Sequence, residues 1–574
     1  MPTFKARTLP SCVCIHSSQP PTPSANVSTS CPHITTTDIM VQFLDLPREV
    51  RDMIYGQYVF VDGGYVHDFN SNTLKGADNT PIDLAFMLTC KKVAMEMKGL
   101  ALSSNSIYFS TVYSEDHRGT AGRFGLLIKE LSDARGRLVN RIHPDILSVP
   151  HDMLERLKEA YPRFAPYLDL LPDRRRLRRH MEGWLETDVG PPGCCGETPS
   201  AFRQFQRAVL QDIADNRHRF DAEQLEDFED GLFKLEIEAM CLPYIEIGRV
   251  LDVDPNPWDI PTAYGVEVMI SSAGSEVEEQ VAREWDHLDQ NYGSCDQFIK
   301  YRYSAAAVAI RFLAFLSKES RLSLRNIILN EDRVAVGFAE SHGLGLIPYC
   351  RENLRLRIKR QVSMWRTVFL TTTTNYWGRC HGYPWEDGLR ANEISYAVAT
   401  WIAEALELGP AGMPPGSFTL SLEGDGACST IFKTVIQRDA AWQTAIDCCL
   451  ERNLLPRLSW GKRRRDCRNK SYGEEGETWH TRNMWYVLEA FPQAIRDMTT
   501  GDSIVTSNFD LGESWDVERL VEENKGWTMQ DWKVAWHRNS DFFQPDPPLP
   551  RWDRLVHEHV ASERSSVVSD SSAD

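Results

Sequence analysis

Apolar residues recur along the chain at two spacings, and the spacings predict where helices and strands fall. Between residues 43 and 60, Leu46, Val50, Met53, Ile54 and Tyr58 repeat at intervals of three and four, which puts them on one helical face. Arg48, Arg51, Asp52 and Gln57 take the opposite face. Pro47 suits the first helical position and Asp45 the N-cap. Glu49 falls in the first turn, where negative charge matches the helix macrodipole. Asp62-Gly63-Gly64 then marks a turn, followed by a loop or short hairpin to Pro81. Leu84, Met87, Leu88, Ala94, Met97 and Ala101 predict a second helix ending at Ser103-Ser104-Asn105, and residues 106–110 a short strand.

Further on, helices are expected around 120–132 and 151–160. Residues 200–250 read as helical and acidic, with Phe202, Phe205, Val209, Leu210 and Ile213 at helical spacing. The breaker-rich run from Gly190 to Gly196 predicts an exposed linker near 190–199. From about residue 300 helix and strand alternate. Helices are predicted at 303–317, near 344–352, and at 392–408, 429–451 and 483–498. Strand-like segments fall at 322–330, in Leu354-Arg-Leu-Arg-Ile358, and at 417–422 and 503–508. The fold class is therefore mixed, α+β or α/β. A small helical module over 41–110 and a mainly helical region over 111–300 precede an irregular α/β body over 301–550. Leu322 to Asn330 matches part of a leucine-rich repeat once, without a fixed period, so a degenerate repeat and an unrepeated α/β domain both stay open.

The two ends read differently. Residues 1–38 are rich in Ser, Thr and Pro, hold six prolines and carry no acid before Asp38, which predicts a disordered tail. Residues 555–574 form a Ser-rich, acidic tail with the same expectation.

Composition sharpens this picture. The 574 residues are 42% hydrophobic, enough for a sizeable core, and the net charge of −18 argues against a general nucleic-acid or anionic-membrane surface. The longest apolar run, Ala305 to Leu316, is broken by Arg311 and falls short of the ~20 residues a bilayer needs. A soluble cytoplasmic or nuclear protein is expected. Fourteen cysteines occur without any C-x-x-C pair and without a secretory apolar region, so reduced, mostly buried thiols are expected.

Candidate chemistry is thin. Gly424-Asp425-Gly426-Ala-Cys-Ser429 follows a predicted strand and opens a helix, where free N–H groups can cradle a phosphate. The third glycine and the lysine of the known phosphate loops are missing, and a tight turn with Ser429 as N-cap is the simpler reading. Asp252-Val-Asp254 starts like a calcium loop, but Pro257 and Ala263 stand where glycine and glutamate are required. Thr430-x-x-Lys433 has the spacing of a nucleophile pair without partner motifs. His557 and His559 lie near the chain's end. Basic runs at Arg174–His180 and Lys462–Arg465 suit an import signal or a solvated helix face. No catalytic residue, metal ligand or cofactor is assigned, and the chain is not expected to be an enzyme.

One resemblance adds a direction. Leu44-Asp-Leu-Pro-Arg-Glu-Val-Arg-Asp-Met-Ile-Tyr55 resembles the start of the F-box-like motif in families of uncharacterised fungal proteins. Met87-Leu-Thr-Cys-Lys91 followed by Ser103-Ser-Asn-Ser-Ile-Tyr-Phe109 is similar to their second segment, so the match covers residues 41–110. The resemblance implies a helical module that docks a Skp-type adaptor of a cullin ubiquitin ligase, while the downstream region recruits an unknown protein substrate. It implies Leu44, Leu46, Pro47, Val50 and Ile54 as the adaptor-facing residues. The insertion between the two segments is long for an F-box. An apolar stripe is also by default core, so docking and burial compete for the same residues. Two other functions stay open: a nucleotide- or phosphate-binding enzyme using residues 424–429, and a nuclear interaction protein with no ligase role.

Overall fold

The computed structural model describes residues 42–141, 151–170, 197–215, 247–290, 298–372, 391–456 and 487–538, with short strand segments at 471–472, 478–479 and 560–561. Residues 190–196 of the expected linker, both basic runs, the paired histidines, residues 1–38 and the 555–574 tail apart from 560–561 lie outside these residues; the described end of the linker, Glu197 to Pro199, is buried rather than exposed, because it leads directly into a packed helix at Pro199–Asp215. The chain divides into two units, Met1–Ile54 and Tyr55–Asp574, with the boundary inside helix α1, Arg48–Val59.

In the first unit the helix starts later than its sequence suggests. Asp45 does not cap it. Its carboxylate accepts the backbone N–H of Gln42 at 3.3 Å and closes a 3-10 turn at Phe43–Asp45. The carbonyl of Pro47 accepts the first helical bonds, from the N–H groups of Val50 and Arg51, both at 3.1 Å. Pro47 thus stands at the cap, where it forfeits no donor.

The second unit is mixed α/β, built on a seven-stranded, mostly parallel sheet. Its strands are β1 (Tyr65–Asp68), β2 (Thr73–Gly76), β3 (Ser106–Ser110), β4 (Asn326–Glu331), β5 (Arg357–Ser363), β6 (Phe418–Glu423) and β7 (Val505–Ser507). Their order is β7-β6-β5-β4-β3-β1-β2; β1 and β2 form an antiparallel hairpin and every other pairing is parallel. After the hairpin, each new strand joins the same growing edge. Residues 65–110 therefore belong to the same sheet as the body, although the sequence suggested a separate helical module. Gly64 (φ +72°) shows why the turn from α1 into β1 needs glycine: a Cβ there would sit 2.4 Å from the carbonyl oxygen of Ser106 on β3.

Parallel sheets are usually covered on both faces and read as unbroken apolar runs. Here the strands alternate, and the pairing register collects the alternation into two unlike faces. On the inner face Ile107, Ile327, Ile358 and Phe418 stand in one row, and Phe109, Leu329, Arg360, Leu420 and Val505 in the next; all are buried. Helix α9, Ala305–Phe315, packs over β3 and β4 on this face and shares its core. On the outer face Val66, Tyr108, Ile328, Lys359 and Thr419 form a row, flanked by Asn326 and Arg357 on one side and by Asn330, Gln361 and Thr506 on the other. Ser421, between Gln361 and Thr506 in that last row, is buried, and none of the other outer residues named is.

Two further cores flank the sheet. One is helical, drawn from α4 (Glu115–Arg141), α5 (His151–Ala160), α6 (Pro199–Asp215), α7 (Ala263–Ser272) and α8 (Ser275–Gln290). Phe202, Phe205, Val209, Leu210 and Ile213 are buried there, the face of α6 that periodicity picks out. The other is small and centred on Trp442, Trp532 and Trp536. Among the described residues, no helix is long and apolar enough to cross a membrane.

Candidate partner-binding surfaces

The apolar stripe of α1 is the first surface. Val50, Met53 and Ile54 are 39%, 75% and 39% exposed. Pro47 is exposed, and Leu44 and Leu46 are half-buried. Three of the five residues singled out from sequence, Pro47, Val50 and Ile54, are thus accessible. The face that looked polar is mixed instead: Arg51 is only 6% exposed, and its Nη1 donates to the carbonyl oxygens of Leu44, at 3.2 Å, and Leu46. That guanidinium fixes the entry to the helix from within, because those carbonyls lie beyond the reach of helical N–H groups. Arg48 and Asp52 form an exposed i,i+4 pair at 2.7 Å on the solvent side.

In the second unit the rest of α1 is anchored. The Tyr55 hydroxyl donates to Glu96 at 2.8 Å, and Tyr55 and Tyr58 pack on the Phe86 ring at 5.6 and 5.2 Å. The predicted 84–102 helix is broken into a 3-10 turn at Phe86–Leu88, α2 (Lys91–Glu96) and α3 (Leu100–Ser104). Gly99, at φ +75°, makes the last break. Asn105 is the residue that sequence reasoning undervalued. It is 2% exposed, its amide donates to Val59 O and Ala101 O, and its carbonyl accepts the Val61 N–H at 2.8 Å. The Ser-Ser-Asn signature is thus a clamp that ties two helix ends together.

The 424–429 turn does not offer the N–H groups that a phosphate would need. Asp425, not Ser429, is the N-cap, and its carboxylate accepts from Ala427 N and Cys428 N, both at 3.1 Å. A fixed negative charge occupies the anion position. Ser429 instead accepts the N–H of Asp510 at 3.2 Å. Lys433 pairs with Asp510, and Thr430 bonds back to Gly426 O, so the two do not form a nucleophile pair. Burial pushes the Cys428 thiol up to about 12, which removes it as a nucleophile near neutral pH. Asp254 pairs with Arg135 and Arg207, and no cluster of three or more metal-binding side chains exists among the described residues.

Ser304 and His342 do stand in contact, with Oγ 2.6 Å from Nδ1. The His342 Nε2 is 2.8 Å from Gly337 O, which assigns the ring proton to Nε2 and leaves Nδ1 to accept the serine hydroxyl. The pair has no chemical use. Ser304 is 0% exposed, and its oxygen caps α9 by accepting from Ala307 N. Burial, helped by Arg360, drives the histidine down to about 3. Beside it Glu331 accepts from Ala305 N and Ala306 N at the start of α9, and from the Arg360 guanidinium at 2.8 and 3.0 Å. Arg360 also lies 4.8 Å from the Trp401 ring. Deeper still, Glu404 on α10 (Ala391–Glu407) accepts from the backbone N–H and hydroxyl of Ser200 on α6, at 2.8 and 2.6 Å. Burial, opposed by Arg203, raises that carboxyl to about 7. These groups are joints between elements.

The outer face of the sheet is the second surface. Gln361 donates to Glu423 at 3.2 Å, the Ser421 hydroxyl donates to it at 2.7 Å, and Lys359 lies 4.0 Å from it. The sequence carried a signal for this face in the alternating Leu354-Arg-Leu-Arg-Ile358, which reads as a strand with one charged side.

Comparison with known proteins identifies no relative: no family model, no curated protein and no solved structure matches the chain.

Proposed function

We propose that this chain is a protein–protein interaction protein whose F-box-like segment docks a Skp-type adaptor, with the body recruiting a protein substrate to a cullin-type ubiquitin ligase. The observation that supports this is the exposure of Val50, Met53 and Ile54 along one side of α1. A soluble helix normally turns such a stripe to its own core, and an apolar stripe left open suits a partner. Leu44, Leu46, Pro47, Val50 and Ile54 are the docking residues in this reading, and the compartment is cytoplasmic or nuclear. The body is read as an irregular, leucine-rich-repeat-like stack. Its support is the strict chain order of the parallel strands, and the wide spacing between β3 and β4 counts against a regular repeat.

The test is co-purification of the full chain with a purified Skp-type adaptor. The unmodified chain is expected to capture it, and Ile54→Asp or Val50→Asp to abolish capture while leaving the thermal midpoint unchanged. Failure of the unmodified chain to capture any such adaptor overturns the reading.

A further inference from the structure

The starts of β4 and β5 share a local device. Leu322-Ser-Leu-Arg325 precedes β4, and Leu354-Arg-Leu-Arg357 leads into β5. In both, one guanidinium nitrogen of the arginine turns back onto the chain. Arg325 Nη1 donates to Leu322 O at 2.9 Å and Leu324 O at 2.7 Å. Arg357 Nη1 donates to Leu354 O at 2.7 Å and Leu356 O at 3.0 Å. The two strands are neighbours, joined here by the bond from Arg357 N to Arg325 O at 2.7 Å. Anchoring through Nη1 leaves the Nε–Nη2 edge of each guanidinium unused among the described residues. That edge holds two parallel donors and matches a carboxylate in bidentate geometry. Two planar forks are thus held in place at neighbouring strand entries before any ligand arrives, Arg357 level with Asn326 and Arg325 one residue ahead of it, which lowers the entropy lost on binding.

The surroundings reinforce the choice of ligand. The alternation along 355–359 leaves Arg355, Arg357 and Lys359 exposed while Leu356 and Ile358 are buried. Arg325, Arg355 and Arg357 have no carboxylate partner among the described residues. The nearby Glu352 is already held by Arg321 at 2.6 and 3.0 Å. In a chain of net charge −18, this strip is an uncompensated cationic edge. Beside it Leu322 and Leu354 are 42% and 66% exposed.

We propose that the amino-terminal edge of β4 and β5 binds an extended acidic peptide segment of a partner protein, with its carboxylates held by Arg325 and Arg357 and its apolar residues lying on Leu322 and Leu354. Nucleic acid suits the edge less well. The cations are few, Glu423 lies on the same outer face, and the overall negative charge repels a polyphosphate. The site is separate from the α1 stripe, so it stands or falls independently of adaptor docking.

Fluorescence anisotropy of the full chain with a short labelled peptide rich in Glu, Asp and Leu tests this. Saturable binding is expected, weakened about tenfold or more by Arg357→Gln. Arg357→Lys, which keeps the charge but loses the fork, should be nearly as weak. Arg355 bonds within the fold only through its backbone N–H, to Asn353 Oδ1, and its side chain makes no hydrogen bond among the described residues, so Arg355→Glu should cut binding without shifting the thermal midpoint. Binding unchanged in both Arg355→Glu and Arg357→Lys overturns the proposal. So does no binding by the unmodified chain, or tighter binding of a single-stranded oligonucleotide of equal charge.

Discussion

Arg357 and Arg360 sit three residues apart on one strand, and their surroundings are opposite. Arg360 is 1% exposed, bonds Glu331 and the Ala339 and Glu340 carbonyls, and stacks on Trp401. Arg357 is exposed, and among the described residues its side chain bonds only main-chain oxygens of its own strand entry. Odd and even positions of a strand point to opposite faces, so one step of register decides whether a guanidinium is a structural joint or a surface donor. A face that needs a buried cation must supply every partner, whereas an outward cation can leave donors free. The same comparison runs through the whole sheet, between a packed inner face and an open outer one.

The largest test of that contrast is Arg360→Met. It strands the Glu331 carboxylate in the interior, an outcome that costs about 3–5 kcal/mol in comparable buried pairs. The two α9 N–H groups that still reach Glu331 should hold the loss near the lower end, measured by urea denaturation. Next in size is Leu329→Ala, expected to cost about 2–5 kcal/mol, against a clearly smaller loss for its half-buried neighbour Ile328→Ala.

A pH series probes the interior from another side. Because burial raises the Glu404 carboxyl to about 7, the folded state holds its proton more tightly than the unfolded chain does. The stability it contributes is fully present below the ordinary carboxylate range and is lost as pH rises through about 7. The denaturation midpoint should therefore fall between pH 5 and pH 8, and Glu404→Gln should flatten that fall. Smallest is Arg357→Gln, whose effect on stability should stay within about 0.5 kcal/mol. A large loss there would mean that the outer face is structural after all.

Much of the fold was legible in the sequence wherever one period ran long enough. The helix expected at 392–408 is observed at Ala391–Glu407, and the strand expected at 417–422 at Phe418–Glu423. Misreadings gather where a tertiary contact overrides local pattern. Arg51 looked outward on charge alone, yet the Leu44 and Leu46 carbonyls draw it in. The strand read from Leu322 begins only at Asn326, because Ser317 caps a short helix over Lys318–Ser323. The predicted 429–451 helix starts earlier, at Gly426, and passes through a π turn at Phe432–Ile436, where side-chain spacing leaves the 3.6 period. Of the candidate surface on α1, the apolar stripe was readable, but its exposure was not, since periodicity locates a face without saying what covers it. The arginine forks were hidden for a different reason: their geometry is set by main-chain carbonyls, which carry no sequence identity.

The chain order of the sheet also bears on how the molecule assembles. Strands β4 and β5 are joined by residues 332–356, but β3 must find β4 across residues 111–325. By loop-closure entropy the second event costs about 2 kcal/mol more than the first. The expected nucleus is therefore the carboxyl-terminal run of strands, with the hairpin and β3 completing the edge only after the intervening helices have brought the ends together. During synthesis this reverses the order in which the ribosome delivers the pieces. The earliest strands made can pair among themselves, β1 with β2 and with β3, but β3 then waits with an open edge until the middle of the chain has folded.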